Sequence, residues 1–283
     1  MDDTRLDGLT AGLEEVNATA PAAAALYDYQ TGQSWNFHGE RWFHAASTIK
    51  IAVLACTYTA VQERGLTPSH LLPVRNRFFS AADGSPYQAL ATRDSDPEVY
   101  TAIGQTLRIG DLARHMITVS SNLATNVLVD FVGVPVARRI LAETGISGVD
   151  LVRGVEDDRA FDAGISNRVT AEGLVQLLRA ILDGRFGSAE HAGEMIDILS
   201  AQAFKSGIPA GLPPAVRATA RVAHKTGEIS SATHDAGIVF LPGRPPYVLA
   251  VLTGTTVDMP NRFEPIARIS ARAFDCLSPS IPL

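Results

Sequence analysis

Apolar positions recur along this chain at two different periods, and the change from one to the other marks out its organisation. Residues 4–17 carry Leu6, Leu9, Leu13 and Val16 at helical spacing. Short apolar runs follow at 22–29 and 34–43, with the turn-forming Gln30-Thr31-Gly32-Gln33 between them, which predicts a hairpin. From 47 to 64 the apolar residues fall on nearly every side, predicting a buried helix stopped by Gly65. Helices are expected at 110–118, 121–132, 135–144, 170–183 and 188–200, joined by Gly- or Pro-bearing turns. Two longer irregular stretches, 72–106 and 151–169, interrupt them, and loops of that length in a compact domain are usually functional or mobile. The period then shortens over 217–225, 235–241 and 247–254, which read as strands, before a closing helix at 262–276.

Strands at both ends around a helical middle predict an α+β fold of discontinuous layout. An α/β part is expected from residues 1–46 and 205–283, with an all-α part over 47–204 inserted into it, the whole forming a single domain over 1–283. No internal repeat or low-complexity segment is present.

Composition narrows the function classes. The chain has 283 residues, of which 46% are apolar, 19% charged and 7% aromatic, values of an ordinary globular protein. A net charge of −6 without any basic run argues against nucleic acid as a partner; Arg138-Arg139 reads as a solvated helix face. No apolar stretch reaches the roughly 18 residues a membrane span needs. The acidic start, Met1-Asp2-Asp3-Thr4-Arg5, shows no secretory signal, so the chain as it stands reads as cytoplasmic, or as exported if a leader has been removed. Cys56 and Cys276 read as buried thiols rather than a disulfide, and two cysteines make no metal framework. No metal or organic cofactor is implied, and a monomer is expected.

Lysine is scarce. Lys50, Lys205 and Lys225 are the only three, and arginine supplies the remaining basic charge. Arginine stays protonated, whereas an amine is pushed toward neutrality by burial or a neighbouring cation. A chain that keeps lysine at two motif-like points therefore invites a reading in which the amine titrates. In Ser47-Thr48-Ile49-Lys50, Lys50 stands one helical turn from a serine and would take its proton as that serine attacks a carbonyl. The helix start also offers unpaired N–H groups to an oxyanion. Apolar neighbours Ile49, Ile51, Ala52, Val53, Leu54 and Ala55 bury that lysine, which sets the reading apart from a capping serine beside a surface ammonium.

Two further pieces bear on the same chemistry. In Val119-Ser120-Ser121-Asn122, a hydroxyl to relay protons and an amide to hold a substrate amide lie two residues apart, although either serine also suits a helix cap. In Lys225-Thr226-Gly227, an ammonium and a hydroxyl suit a carboxylate, and the glycine lets backbone approach closely.

In this order and at these separations the three pieces resemble the serine β-lactamase and penicillin-binding protein superfamily, and most closely class A β-lactamases. The resemblance spans nearly the whole chain and implies that family's fold, an antiparallel sheet flanked by helices with an inserted all-α subdomain. It implies a small-molecule substrate: a β-lactam, or a peptide or ester. By position it makes Ser47 the acylated nucleophile and Lys50 its proton partner. Ser120 becomes the shuttle to the leaving nitrogen, and Asn122 the ligand of the substrate amide. Lys225 and Thr226 become the carboxylate site, beside Gly227, and the N–H groups of Ser47 and Glu228 the oxyanion hole.

Three departures from the family pattern stand out. Ser121 occupies a position where the family usually has Asp. No E-x-x-L-N stretch follows; Arg153 to Arg159 and Asn167 to Thr170 occupy that region, with Arg153 and Asn167 at the loop ends. Glu156 is then the nearest candidate base for deacylation, with Asp157 behind it, and a solvated acidic turn is the competing reading. Glu228 and the following residues 229–235 do not supply the arginine that many members place beside the carboxylate, and Arg262 is a candidate substitute. His234-Asp235 reads as a hairpin turn rather than a dyad. The alternatives to a β-lactamase are a penicillin-binding or D,D-peptidase-like enzyme that deacylates slowly, a cytoplasmic esterase or amidase on the same scaffold, and a non-catalytic binding module.

Overall fold

A computed structural model of the chain describes residues 3–254 and 261–277. Helix α1 (Asp3–Asn17) leads into strands β1 (Ala22–Asp28) and β2 (Gln33–Phe37). The principal helices that follow are α2 (Ile49–Glu63), α3 (Ile109–Thr118), α4 (Asn122–Val132), α5 (Val134–Glu143), α6 (Ala171–Leu182) and α7 (Ala189–Ser200). Strands β3 (Arg221–Ile229), β4 (Ala232–Phe240) and β5 (Tyr247–Gly254) come next, and then α8 (Glu264–Leu277). The chain separates into two compact units. The first holds Met1–Thr48, Val169–Arg179 and Phe204–Leu283; the second holds Ile49–Arg168 and Ala180–Ala203.

The first unit is built on a five-stranded sheet in the order β3-β4-β5-β1-β2, with each neighbouring pair antiparallel. Leu9, Leu13 and Val16 of α1 and Ile266, Ile269, Ala273 and Phe274 of α8 form one cluster with Ala24, Leu26, Val222, Val239, Leu249 and Val251 of the strands. Those strand residues alternate, as one face of a sheet requires. Removing such area from water is worth roughly 25 cal/mol per Å². The cluster therefore holds both terminal helices to a sheet with β3 at its edge.

Two sequence expectations for this sheet need correction. Strand β3 begins at Arg221 instead of 217, because Pro214–Arg217 forms a helical turn whose Arg217 Nη2 donates to Ala210 O and Leu212 O at 2.8 and 2.9 Å. Proline at the start of that turn has no N–H to give a ladder. The hairpin turn lies at Ser230-Ser231, and His234-Asp235 lies inside β4, both fully buried. Asp235 faces His224 across the ladder, with His224 Nδ1 2.9 Å from Asp235 Oδ1, and it also accepts from Ile208 N at 2.8 Å. His234 Nε2 lies 2.9 Å from His44 O, and its Nδ1 accepts from Thr253 N at 3.3 Å. Burial pushes the His234 pKa down to about 4, so it stays neutral. Both are structural residues that resemble a turn only because they are polar.

In the second unit α2 is buried on all sides, Lys50 included, and packs against α3, α4, α5 and α7. Cys56 is a buried free thiol whose pKa burial pushes up to about 12. Helix α4 starts at an N-cap, Ser121, whose Oγ accepts from Ala124 N at 3.3 Å. The stretch from Arg153 to Asn167 is irregular apart from one helical turn, Asp158–Asp162.

Candidate active site

In the first unit, a short 3-10 turn, Ala46–Thr48, presents Ser47, which is partly exposed. Ala46 enters it at φ 46°, a left-handed conformation that side chains with a Cβ rarely adopt. Strand β3 passes directly against this turn. A Cβ on Gly227 would lie 3.0 Å from Thr48 N and 3.1 Å from Ser47 N, a crowding that glycine avoids. The backbone of Ser47 and the Gly227-Glu228 segment are thereby neighbours. On the same strand Lys225 is fully buried, with Nζ donating to Thr226 O at 2.9 Å, and Thr226 is 6% exposed.

Glu228 does not stand as a bare anion there. Arg262 Nη1 donates to Glu228 Oε1 at 2.7 Å, and its Nη2 donates to Ser230 O at 3.0 Å and to Ile229 O. Arg262 thus holds the β3–β4 turn and offsets the charge of Glu228.

The second unit assembles the other candidates around one ammonium. Lys50 Nζ donates to Ser120 O at 2.7 Å, Ser120 Oγ at 3.1 Å and Asn122 Oδ1 at 2.7 Å. Three donors meet three acceptors. Burial drives the Lys50 pKa down to about 7, while the charges of Asp94 and Glu156 pull the other way. A neutral Lys50 keeps two N–H bonds and turns a lone pair toward a hydroxyl, since neither carbonyl oxygen can donate to it. Ser120 takes its place through a left-handed backbone, φ 63°, just ahead of the α4 cap.

Asn122 links this group to Glu156. Its Nδ2 donates to Glu156 Oε1 at 2.6 Å and to Arg93 O at 3.3 Å. Glu156 Oε2 accepts from Leu90 N at 2.8 Å. Glu156 is the second residue of this group with positive φ, 57°. Three of the four non-glycine residues with positive φ among those described are Ala46, Ser120 and Glu156, at or beside candidate positions. Such strain persists where surrounding structure imposes it, as functional sites do.

Side chains outside the sequence motifs fix this geometry. Asn126 Oδ1 accepts from Val155 N at 2.7 Å and its Nδ2 donates to Val155 O at 3.0 Å. Asp157, 1% exposed, accepts from Ser80 Oγ at 2.7 Å, Ala81 N at 2.8 Å and Ala160 N at 3.1 Å. It is a loop anchor, so the acidic run is not a solvated turn at this residue. Asn167 Oδ1 accepts from the N–H groups of Val152 and Arg153, and its Nδ2 donates to Arg153 O at 3.0 Å, joining the loop ends by backbone contacts. Asp94 caps the start of α4. Apart from the Asp157 cap on Ala160 N, these contacts join residues distant in sequence, so no spacing rule could reveal them.

Asp96, Glu98 and His115 bring ligand-type atoms within 4.8 Å of one another. Asp96 is already engaged by Glu98 N at 2.9 Å and lies 2.6 Å from His115 Nδ1, which makes a helix cap and a side-chain hydrogen bond.

Comparison with known proteins bears on the family and the fold. The model of a family described as the beta-lactamase enzyme family matches residues 9–277. Beta-lactamase AER-1 of Aeromonas hydrophila is 22% identical over 271 residues, covering 94% of this chain and 84% of that protein. A crystal structure of a beta-lactamase from Sphaerobacter thermophilus DSM 20745 is 25% identical with a TM-score of 0.81, covering 98% of both chains. A mutant of PBP-A, solved as an acyl-enzyme complex with penicillin-G, is 26% identical with a TM-score of 0.81, covering 97% of both chains.

Proposed function

The chain belongs to the beta-lactamase enzyme family, and from that premise we propose that it hydrolyses the β-lactam amide bond by a class A route, with Ser47 as the acylated residue. The observation that carries this reading is Lys50: fully buried, bonded to Ser120 and Asn122, and poised near neutrality. A general base works best when its pKa lies near the working pH.

Lys50 follows Ser47 by one helical turn in the chain. Lys50 accepts the Ser47 proton as Oγ bonds to the carbonyl carbon. The oxyanion is met by the N–H groups of Ser47 and Glu228, on the segment that Gly227 lets run against Ser47. As the C–N bond breaks, Ser120 passes a proton to the leaving nitrogen and is resupplied by Lys50, to which it is hydrogen-bonded. Asn122 binds the substrate amide, while Lys225 and Thr226 bind its carboxylate. Glu156 then takes a proton from the water that attacks the ester; as the ester C–O bond breaks, that proton is passed on to Ser47 Oγ, which restores the serine and the ionised Glu156.

One observation favours a second reading, in which acylation is followed by slow water attack. Both Glu156 oxygens are already engaged, by Asn122 Nδ2 and Leu90 N, and so compete with a water for the carboxylate. Intact-mass spectrometry with benzylpenicillin over time, beside Ser47→Ala, separates the two. Drug consumed with a transient adduct, both lost in the variant, supports the first. An adduct of one drug mass that persists supports the second. Neither adduct nor consumption would sink both and favour an esterase or amidase.

A further inference from the structure

Asp94 belongs to none of the motifs, yet it is bound to the segment that carries one of them, Ser120-Ser121-Asn122. Its Oδ2 accepts from Asn122 N at 2.8 Å, Leu123 N at 2.9 Å and Ser121 Oγ at 3.3 Å. Its Oδ1 accepts from Asp96 N at 3.0 Å, which fixes the carboxylate from its own side of the chain. The first N–H groups of a helix lack intrahelical partners and lie at the positive end of its dipole, so an anion there holds the turn firmly. Ser121, a neutral cap, satisfies only Ala124 N. Asp94 thus delivers from a separate loop the carboxylate that the cap position does not carry.

We propose that Asp94 is a positioning residue of the proton-handling group: it anchors the first turn of α4 so that Ser120 O, Ser120 Oγ and Asn122 Oδ1 converge on Lys50. The inference rests on the reading of Lys50 as the proton acceptor for Ser47. Asp94 also acts through its charge. The ionised groups that bear on Lys50 are Asp94 and Glu156, and both favour the ammonium against the effect of burial. Ser120 and Asn122, which contact it directly, are neutral. Tyr100 faces the same two carboxylates, and burial pushes its pKa upward, so its hydroxyl stays protonated where Lys50 titrates. Removing the Asp94 charge therefore moves Lys50 toward the free amine, and removing its oxygens lets the turn shift.

The presence of only three lysines makes a direct test practical. Protein carrying lysine labelled with carbon-13 at Cε gives three titrating signals, with Lys50 assigned by its loss in Lys50→Met. In Asp94→Asn the Lys50 signal titrates at lower pH than in the parent, and the acid limb of the acylation rate moves down with it. Asp94→Ala loses about tenfold in acylation rate. Adding Ser121→Asp, which returns a carboxylate to the helix start, restores most of that loss. A Lys50 titration unmoved by Asp94→Asn, with an Asp94→Ala effect confined to melting temperature, would reduce Asp94 to a plain cap and overturn the proposal. Lys50→Met acylating at the parent rate would instead overturn the base reading itself, whatever the labelled signals show.

Discussion

Asn122 donates its side-chain N–H to Glu156 Oε1 at 2.6 Å, and that bond orients the amide so that its oxygen faces Lys50. The carboxylate thus helps set the acceptor geometry of an ammonium that it does not itself touch through any bond described. Glu156→Gln keeps one acceptor oxygen for Asn122 but sets an amide N–H against Leu90 N–H, and it removes a proton acceptor. Deacylation is expected to slow by about 10²–10³-fold while acylation changes little, so the penicilloyl adduct accumulates in a mass time course. Turnover equal to the parent enzyme's would exclude Glu156 as the base.

The rate of acylation should follow the state of Lys50. With its pKa lowered to about 7, the free amine predominates above that pH, so the rate constant rises with pH through about 7 and then levels. Stopped-flow acylation with a chromogenic cephalosporin across pH 5 to 9 measures the limb. Lys50→Arg, which cannot become neutral, is expected to lose the limb and about 10³-fold in rate.

Gly227→Ala tests the close passage of β3 against the nucleophile turn. The added carbon meets Ser47 N and Thr48 N at 3.1 and 3.0 Å, so the backbone of the nucleophile turn must shift by a few tenths of an ångström to admit it. Acylation should fall by at least about tenfold, with a melting temperature lowered by only a few degrees, as calorimetry would show. An unchanged acylation rate would mean that the turn tolerates displacement.

At the Arg262–Glu228 pair, loss of the arginine leaves Glu228 uncompensated next to Thr226 and releases the β3–β4 turn. Arg262→Ala is expected to raise KM for a carboxylate-bearing substrate several-fold with a smaller effect on kcat. Glu228→Gln, which leaves the arginine cationic, should lower KM. Opposite signs in steady-state kinetics are the diagnostic result; a common sign would point to loop disorder alone.

Much of the fold was legible because its signals are periodic. The apolar rows at Leu9, Leu13 and Val16, and around α2, report burial directly, and Gly65 with φ 63° closes α2 as its position implies. Strand limits were less legible. Proline-rich sequence before Arg221 reads as extended but folds as a helical turn, and a buried polar pair such as His234-Asp235 imitates a loop. At the site, Ser47, Lys50 and Lys225 announce themselves by residue type. Asp94, Asn126 and Asp157 do not, because their partners are between 2 and 77 positions away and mostly on other elements.

The scarcity of lysine has a practical side. Lys50 and Lys225 are fully buried, whereas Lys205 is exposed, so the folded surface offers a single ε-amine. Amine-directed coupling, α-amino group aside, would attach a dye, tether or matrix at Lys205 alone, giving an immobilised enzyme in one orientation. Modification at either of the other two would report unfolding.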